Sequence, residues 1–482
     1  MTWTQLNLGI ALPEIFLLGS ALFILLADLF TDRKQIGYGL TLAALAGTAL
    51  LLAQDFNAAA RYGFNGLFVA DALAQVAKLG MVAGVALVLV YGRGYAISRH
   101  FFKGELFALT LFALLGMMVM ASSANFISLY VGLELLSLSL YALVSIERDS
   151  ARGAEAAMKY FVLGSLASGL LLYGMSMVYG ATGSLDIVQI ARGIADNQAN
   201  PLLAQFGLVF IVTGIGFKLG AVPFHMWVPD VYDGAPTPLA QLIGSAPKLA
   251  AFAFIFRLLA EALAGFMPDW SGMLMILAVL SLIVGNVAAL AQTSLKRMLA
   301  YSTISHMGFL LLGMLAGNPA GYAAGFFYAM TYMLTAAAGF GMILLLSHEG
   351  FEADRIADFK GLAQRSPWFA AMMLIVMFSM AGIPVFVGFF AKFAVLKAVV
   401  GMGMVWLAML AVACSLIGAF YYLRVVKVMY FDTPETDTPI EAALDSRILL
   451  SANCLLLLVL GLMPESLLSV LAKAVQGAML PL

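Results

Sequence analysis

The sequence predicts an all-α membrane protein, a polytopic bundle of about 14 transmembrane helices. Of the 482 residues, 63% are hydrophobic and only 11% are charged, whereas soluble proteins carry about 25% charged residues. The mean hydropathy is +0.99. A membrane-spanning helix needs about 20 mainly apolar residues, and such stretches follow one another along the whole chain. A separate soluble domain is therefore excluded.

The chain is one membrane domain, 1-482, which we divide by its apolar stretches. The first stretch contains Pro13 and Glu14 and has no cleavage site after it, so we interpret it as a span and not as a signal peptide. The predicted spans are 8-27, 36-54, 72-92, 105-122, 125-146, 155-180, 203-231 (interrupted), 236-262, 272-291, 298-316, 319-347, 367-399 (interrupted), 402-430 and 447-472.

Basic residues are distributed unequally between the two sets of loops. Fifteen lie in one set, and only Arg61, Arg192 and Lys473 lie in the other. Cytoplasmic loops are enriched in lysine and arginine, so we expect the first set to be cytoplasmic and both termini to lie outside. The other seven fall within spans or at their ends. Of these, we expect Lys78, Arg257 and Lys397 to extend to the lipid headgroups.

Two spans carry a similar interruption that contains a glycine and a proline. The seventh contains GAVP ending at Pro223, and the twelfth contains AGIP ending at Pro384. Aligning the prolines shifts the chain by five spans, an odd number, which predicts two five-span repeats of opposite orientation, 105-262 and 272-431. A three-span segment, 1-104, precedes them and a C-terminal span, 446-482, follows. Interrupted helices at matching positions of inverted repeats are typical of ion sites in transporters.

Ionisable residues lie near both interruptions, at a depth where a charge is costly. Glu134 occupies the middle of the fifth span, and Lys159 and Lys218 are its nearest candidate partners in sequence. An ion pair with one of them is expected to keep the carboxylate charged.

The series continues through the later spans with His225, Lys248, His306 and Lys392. A buried lysine with a movable carboxylate neighbour is a switchable proton site, and histidine relays protons near neutral pH. A histidine taken alone is more often a hydrogen-bonded packing residue than a proton relay. Unpaired charges on Glu134, Lys218, Lys248 and Lys392 together would cost on the order of ten kcal/mol, which favours a proton path over a purely structural bundle.

Other kinds of function find no support in the composition. Cys414 and Cys454 stand alone within apolar spans, so neither a disulfide framework nor a metal cluster is indicated. We expect no cofactor in this chain. The net charge of -1 and the lack of a dense basic run do not indicate nucleic-acid binding.

Four motifs resemble the antiporter-like membrane subunits of respiratory complex I, most closely those of the subunit N type. The motifs are GLELLSL, GFKLGAVPFHMWVPDVYDGAP, SLKRMLAYSTISHMGF and AGIPVFVGFFAKF. The resemblance covers essentially the whole chain. Subunits of the M type have a glutamate where Lys392 stands, and Ala391 takes the place of an expected glycine.

The resemblance implies proton translocation driven by NADH oxidation and quinone reduction in neighbouring chains. By resemblance, Glu134 and Lys218 form the control pair of a first half-channel, Lys248 and His225 the central link, and Lys392 the exit site. Lys159 matches a further lysine of the family. The resemblance also implies a hetero-oligomer in the bacterial inner membrane, with subunit M, small membrane subunits and a peripheral arm that holds FMN, iron-sulfur clusters and quinone.

Two alternatives remain open at the level of the sequence. One is a subunit of a multisubunit Na⁺/H⁺ antiporter or of a membrane-bound hydrogenase, which share the same bundle. The other is a structural scaffold whose interrupted helices no longer conduct. The partners in the native assembly distinguish the first from complex I, and the effect of losing Lys392 tests the second.

Overall fold

The protein folds into a bundle of long apolar helices, which confirms the predicted class. This computed structural model describes residues 7–30, 33–54, 59–434, 440 and 442–479. Up to the first interrupted span, the helices are α1 (Leu12–Leu29), α2 (Lys34–Gln54), α3 (Ala72–Ser98), α4 (Gly104–Ala121), α5 (Phe126–Val144), α6 (Ala151–Thr182), α7 (Ile187–Ala195) and α8 (Pro201–Leu219). Both termini were predicted to lie on the outer side of the membrane. Their last residues, 1–6 and 480–482, lie outside the described residues.

The second part of the chain continues the bundle with shorter and broken elements. Its helices are α9 (Trp227–Gly234), α10 (Thr237–Gly244), α11 (Ala246–Ile255), α12 (Met267–Leu290), α13 (Leu295–Leu315), α14 (Pro319–Leu346), α15 (Leu362–Arg365), α16 (Pro367–Ala381), α17 (Val387–Gly401), α18 (Val405–Phe431), α19 (Leu444–Leu462) and α20 (Glu465–Ala478). A π-helix, Phe256–Ala262, extends α11.

The number of spans agrees with the prediction. Thirteen helical stretches of the described chain are long and apolar enough to cross a membrane. The predicted twelfth span is formed by α16 and α17, which have 15 residues each and are too short to cross alone. Counting this pair as one broken helix gives the fourteenth span.

Polar residues at the starts of spans explain where several helices begin. An N-cap side chain accepts a hydrogen bond from an otherwise unpaired N–H of the first turn. The N-cap residues that do so at the spans α3, α5, α6, α8 and α14 are Asp71, Asn125, Ser150, Asn200 and Asn318.

Three spans form the centre of the bundle. In the most apolar stretches of Thr237–Ala262, α13 and α14, 94% of the residues are buried, compared with 33–39% in α19, α1 and α2. The outer helices therefore present much of their apolar surface to lipid or to other subunits, whereas the three central ones are enclosed by protein. A polar side chain on a central helix must find its partners inside the bundle.

The two interrupted spans break with the same backbone geometry. Gly220 after α8 has φ 77° and ψ 33°, and Gly382 after α16 has φ 83° and ψ 38°. Each glycine N–H donates to the carbonyls three and four residues before it, the arrangement of a glycine-terminated helix. The geometry agrees with the two breaks being equivalent, while the inverted orientation of the repeats stays a prediction.

Two spans that were predicted to be continuous are broken, and both predictions were wrong for the same reason. The eighth span is interrupted at Ser245 (φ −115°, ψ −97°), two residues before Pro247. The last span ends at Leu462, and the amphipathic helix α20 follows Pro464. Proline lacks an N–H and clashes with the preceding turn, so a helix ends before it.

A short β-hairpin was also missed by the all-α prediction. Its strands β1 (Arg61–Gly63) and β2 (Phe68–Ala70) are antiparallel, with Tyr62 opposite Val69. The hairpin directly precedes α3. With three residues per strand, it is too short for an alternating pattern to be recognised in the sequence.

Candidate functional site

Lys218 lies at the end of α8, directly before the first break. Its Nζ donates to Ser137 Oγ of α5 at 2.9 Å and to Ser168 Oγ of α6 at 3.2 Å. Two hydroxyl groups therefore hold the amine between three helices. Because a hydroxyl is both a donor and an acceptor, these partners bind the neutral amine as well as the ammonium.

Glu134 lies on the face of α5 that carries Ser137, one turn earlier. Its Oε1 is buried and has no hydrogen-bond partner among the described residues. The predicted direct ion pair with Lys218 is not formed there, because the lysine is bound to Ser137 and Ser168 instead. The two groups nevertheless interact electrostatically. They therefore lie near one another without a direct ion pair, and their role as a control pair stays a prediction.

Lys159 is not a partner of Glu134, so that prediction was wrong. The side chain of Lys159 is 44% exposed and forms ion pairs with Glu155 Oε1 at 2.9 Å and with Asp230 Oδ2 at 2.8 Å. Lys159 lies only two turns from the start of α6, and its side chain reaches α9. The geometry therefore places Lys159 outside the buried group around Lys218.

Lys248 is 1% exposed on the central helix α11 and contacts the same break from the other side. Its Nζ donates to Leu219 O at 3.0 Å, the last carbonyl of α8, and lies 5.3 Å from the centre of the Trp227 ring. The C-terminal carbonyls of a helix carry partial negative charge. They attract the ammonium of Lys248 without a carboxylate, and Lys248 and Lys218 are linked through adjacent residues.

His306 connects to the second break through hydroxyl groups. Its Nδ1 lies 2.6 Å from Tyr328 Oη and its Nε2 lies 3.1 Å from Tyr422 Oη. Tyr422 also shares a short hydrogen bond with Ser302. A cavity of about 20 Å³ separates His306 from Met380 at the end of α16, which is enough space for one water molecule.

Lys392 repeats at the second break what Lys248 does at the first. Its Nζ donates to Met380 O and Ala381 O, both at 3.0 Å, and to Ser415 Oγ at 2.8 Å. The ammonium also lies 5.3 Å from the ring centre of Phe309, one turn from His306 on α13. The cavity beside His306 is thus also lined by Met380, whose carbonyl accepts a hydrogen bond from Lys392.

His225 lies in the segment between α8 and α9 and is half-buried. Its Nδ1 is buried without a hydrogen-bond partner in the described chain. Within the described residues, no hydrogen bond or ring contact joins His225 to Lys248. The ammonium of Lys248 is bound to Leu219 O instead. The predicted link between His225 and Lys248 is therefore not a direct contact.

Two groups of buried charges were not predicted. Lys78 on α3 is 1% exposed and pairs with Glu14 on α1 at 2.5 Å. Arg257 pairs with Asp71 and Glu261, both at 2.6 Å, and all three side chains are at most 5% exposed. The expectation that Lys78 and Arg257 extend to headgroups was therefore wrong, whereas Lys397 is exposed as expected.

A sequence signal for these pairs existed in the acidic residues near span ends. Glu14 stands beside Pro13 within the first span, and Asp71 directly precedes the third. Their partners are 64 and 186 residues away, respectively. No local pattern relates residues so far apart, so the pairing needed the structure.

Comparisons with known proteins agree with this architecture. The NADH:quinone oxidoreductase/Mrp antiporter transmembrane family matches residues 123–418. NADH-quinone oxidoreductase subunit N of Thiobacillus denitrificans is 57% identical, with coverage of 96% of this chain and 97% of the relative. A chain of respiratory complex I from Thermus thermophilus superposes with a TM-score of 0.83 at 32% identity, covering 95% of this chain and 98% of that one.

A chain of the Mrp complex from a Dietzia species has a TM-score of 0.84 and 21% identity, covering 98% of each chain, and shares the fold. Together these matches define the class: the chain is an antiporter-like membrane protein and belongs to the NADH:quinone oxidoreductase/Mrp antiporter family. Within that class it belongs to the family of NADH-quinone oxidoreductase subunit N.

Proposed function

We propose that this chain is the antiporter-like subunit that moves protons across the membrane in an NADH:quinone oxidoreductase complex. The movement is coupled to NADH oxidation and quinone reduction in neighbouring subunits. Membership of the subunit N family and the likeness to a complex I chain support the assignment. Proton movement itself is supported by the hydrogen bonds of three lysines, of which Lys248 and Lys392 are buried and Lys218 is half-buried.

Lys218, Lys248 and Lys392 donate to hydroxyl or carbonyl oxygens, and no carboxylate binds any of the three ammonium groups within the described residues. A permanent buried cation without a counter-ion is costly. Loss of a proton from such a lysine breaks no ion pair and leaves its hydrogen-bond acceptors in place. These lysines therefore suit a function in which protons arrive and leave.

The buried groups suggest an order for proton transfer. Glu134 and Lys218 lie on one side of the first break and Lys248 on the other, and His306 precedes Lys392 at the second break. The hydroxyl groups in contact with these residues are those of Ser137, Ser168, Tyr328, Tyr422 and Ser415. We place His225 beside this row as an accessory group, and the exposed, paired Lys159 outside it.

The chain is a membrane subunit of an oxidoreductase complex, and we place the redox chemistry in other subunits. FMN, iron-sulfur clusters and quinone belong to those subunits in this proposal, and this chain holds no cofactor. Its neighbours are an antiporter-like subunit M and the small membrane subunits. The side rich in lysine and arginine faces the cytoplasm, and both termini face the periplasm of a bacterial inner membrane.

The direct test is proton pumping by the complete complex in proteoliposomes. Lys218→Ala and Glu134→Gln should each abolish most NADH-driven pumping, and NADH:quinone activity should fall as well if the two processes are tightly coupled. Lys397→Ala, which removes an exposed lysine, is the control. Pumping at the wild-type rate in both site variants, with the complex fully assembled, would contradict the proposal.

A further inference from the structure

A line of polar side chains runs along the central span from its basic-side end to Lys248. Thr237, Gln241 and Ser245 are spaced four residues apart, and Lys248 follows three residues later. The first three are 0% exposed and Lys248 is 1% exposed. Thr237 and Gln241 share one face of α10, Ser245 stands at the break, and Lys248 lies in the first turn of α11. Polar side chains therefore lie on both sides of the break between the outer end of the span and the lysine.

One group on this face is incompletely bonded. The side-chain amide of Gln241 donates to Ala337 O at 2.7 Å, but its Oε1 is buried without a partner among the described residues. A buried acceptor normally has a donor. Ser245 Oγ donates to Gln241 O at 2.7 Å, next to the helix break. An unpaired acceptor thus lies between Thr237 and Lys248, where it can orient a mobile proton donor.

The outer end of the line meets a carboxylate that reaches the surface. Thr237 Oγ1 forms a short hydrogen bond with Glu352, whose side chain is 21% exposed. Lys296 also donates to Glu352, at 3.2 Å, and to Ala235 O at 2.9 Å. Glu352 follows α14 in the loop 347–355, so it connects the buried face to the basic side of the protein.

Glu147 lies close to Glu352 and opens into a wide cavity. The cavity has a volume of about 640 Å³, and its ionisable lining residues are Arg99, His100, Lys103, Glu105, Glu147, Arg148 and Asp149. Glu147 Oε1 is buried without a partner within the described chain, and Glu147 interacts electrostatically with Arg99, Glu352 and Lys296. The Arg99 guanidinium also lies 4.7 Å from the centre of the Tyr95 ring.

The two carboxylates have different protonation tendencies. Burial raises the pKa of Glu147, with Glu352 acting in the same direction and Arg99 opposing it. Burial also acts to raise the pKa of Glu352, but the Lys296 ammonium and the hydrogen bond from Thr237 outweigh it, so the pKa lies below its usual value. Glu147 therefore takes up protons more readily, and Glu352 remains an ionised acceptor beside it.

We propose that protons reach Lys248 from the cytoplasmic side through an inlet formed by Glu147, Glu352, Thr237 and Gln241. Glu147 takes up a proton from the cavity, and the carboxylate of Glu352 receives it. Thr237 then accepts one proton and donates another, so its own composition does not change. Water molecules oriented by the unpaired Oε1 of Gln241 carry the proton onward to the amine of Lys248. This inference rests on the proposed function, because Lys248 must exchange protons.

The first test removes the inner part of the inlet without removing a charge. In the assembled complex, Gln241→Leu and Thr237→Val should each lower the pumping rate about tenfold or more, since a positioned proton-transfer group contributes factors of this size or larger. Thr110→Val is the matched control: Thr110 is equally buried, but its hydroxyl donates only to Leu106 O within its own helix. The control should pump at the wild-type rate.

The second test measures pumping as a function of cytoplasmic-side pH with Glu147→Gln. The rate relative to wild type should be near one at pH 6 and several-fold lower at pH 8.5, because a proton-collecting carboxylate matters most when protons are scarce. A merely structural role would give the same loss at every pH. Asp432→Asn, which removes a carboxylate paired with Lys427 on the same side, should show no such trend.

The outcomes separate the inlet from the proposed function. If Lys218→Ala abolishes pumping while Gln241→Leu and Glu147→Gln pump like wild type at every pH, the inlet is wrong and the function stands. If Lys218→Ala itself pumps normally, the proposed function is wrong. Assembly is checked for each variant through NADH oxidation by ferricyanide, which needs no quinone.

Discussion

Neutral oxygen atoms surround the lysines that define this protein's interior. At both breaks an ammonium binds backbone carbonyls at the end of a half-helix, Leu219 O for Lys248 and Met380 O and Ala381 O for Lys392. The partial negative charge of a helix C-terminus stabilises a cation by about 0.3–1 kcal/mol at exposed sites and up to about 2 kcal/mol when partly buried. That is enough to attract the charge and too little to fix it permanently.

The tyrosine partners of His306 give a prediction at the same scale. Tyr328→Phe removes the hydroxyl that lies 2.6 Å from His306 Nδ1, so the ring loses the partner that orients it. We expect a several-fold loss of pumping in proteoliposomes with normal assembly. Tyr322→Phe, at a buried tyrosine on the same helix away from the histidine, should have no effect; equal rates in the two variants would exclude a relay through Tyr328.

The buried pair of Lys78 and Glu14 predicts an effect on stability. Lys78→Met leaves the Glu14 carboxylate buried without its counter-charge, which costs about 3–5 kcal/mol. The amount of assembled complex and its thermal stability in detergent should fall sharply. Adding Glu14→Gln to Lys78→Met should recover most of the loss. A double variant as unstable as the single one would show that the pair is not the source of the effect.

At the scale of helices, a glycine at a break can matter in two ways: it adopts a left-handed backbone conformation, and it leaves room for a neighbouring side chain. A Cβ on Gly382 would lie 2.9 Å from Lys392 Cδ and 3.2 Å from its Nζ. Gly403 has a similar φ of +80°, but open space surrounds its Cβ position. Alanine in this left-handed conformation costs roughly 1–2 kcal/mol at either site, and only at Gly382 does it also displace the lysine.

Gly382→Ala should therefore lower pumping strongly, whereas Gly403→Ala should lower only stability. Pumping is measured in proteoliposomes and stability as the melting temperature of the purified complex. Equal pumping in the two variants at equal assembly would show that the position of Lys392 does not depend on the break.

Helix breaks also show what local sequence predicts. GAVP and AGIP identified both interruptions, because glycine and proline act on their own backbone. Pro247 and Pro464 carried the same signal but stood in stretches whose length and hydropathy fitted one continuous span. The hairpin before α3 was too short to be recognised. Glycine and proline thus predicted the breaks of the seventh and twelfth spans. The breaks near Pro247 and Pro464 were missed because the hydropathy of those stretches fitted one continuous helix.

At the scale of the whole molecule, the arrangement of the spans decides which charges are internal. Glu134, Lys218, Lys248, His306 and Lys392 were predicted as site residues, and the structure places all five in the interior or half-buried. Lys159 was predicted in the same way but is exposed, and Lys78 and Arg257 were expected at the surface but are buried. Every span is apolar on most faces, so hydropathy alone does not show which face meets protein.

The central position of α11 also gives the most direct test of proton movement, at Lys248. Arginine retains a positive charge near Leu219 O but does not deprotonate in proteins, so it separates a helix-capping role from a proton-transfer role. The measurement is the number of protons pumped per NADH oxidised by the reconstituted complex carrying Lys248→Arg. We predict an assembled complex whose ratio falls well below wild type, as in Lys248→Met. A wild-type ratio with Lys248→Arg would contradict proton transfer through this lysine.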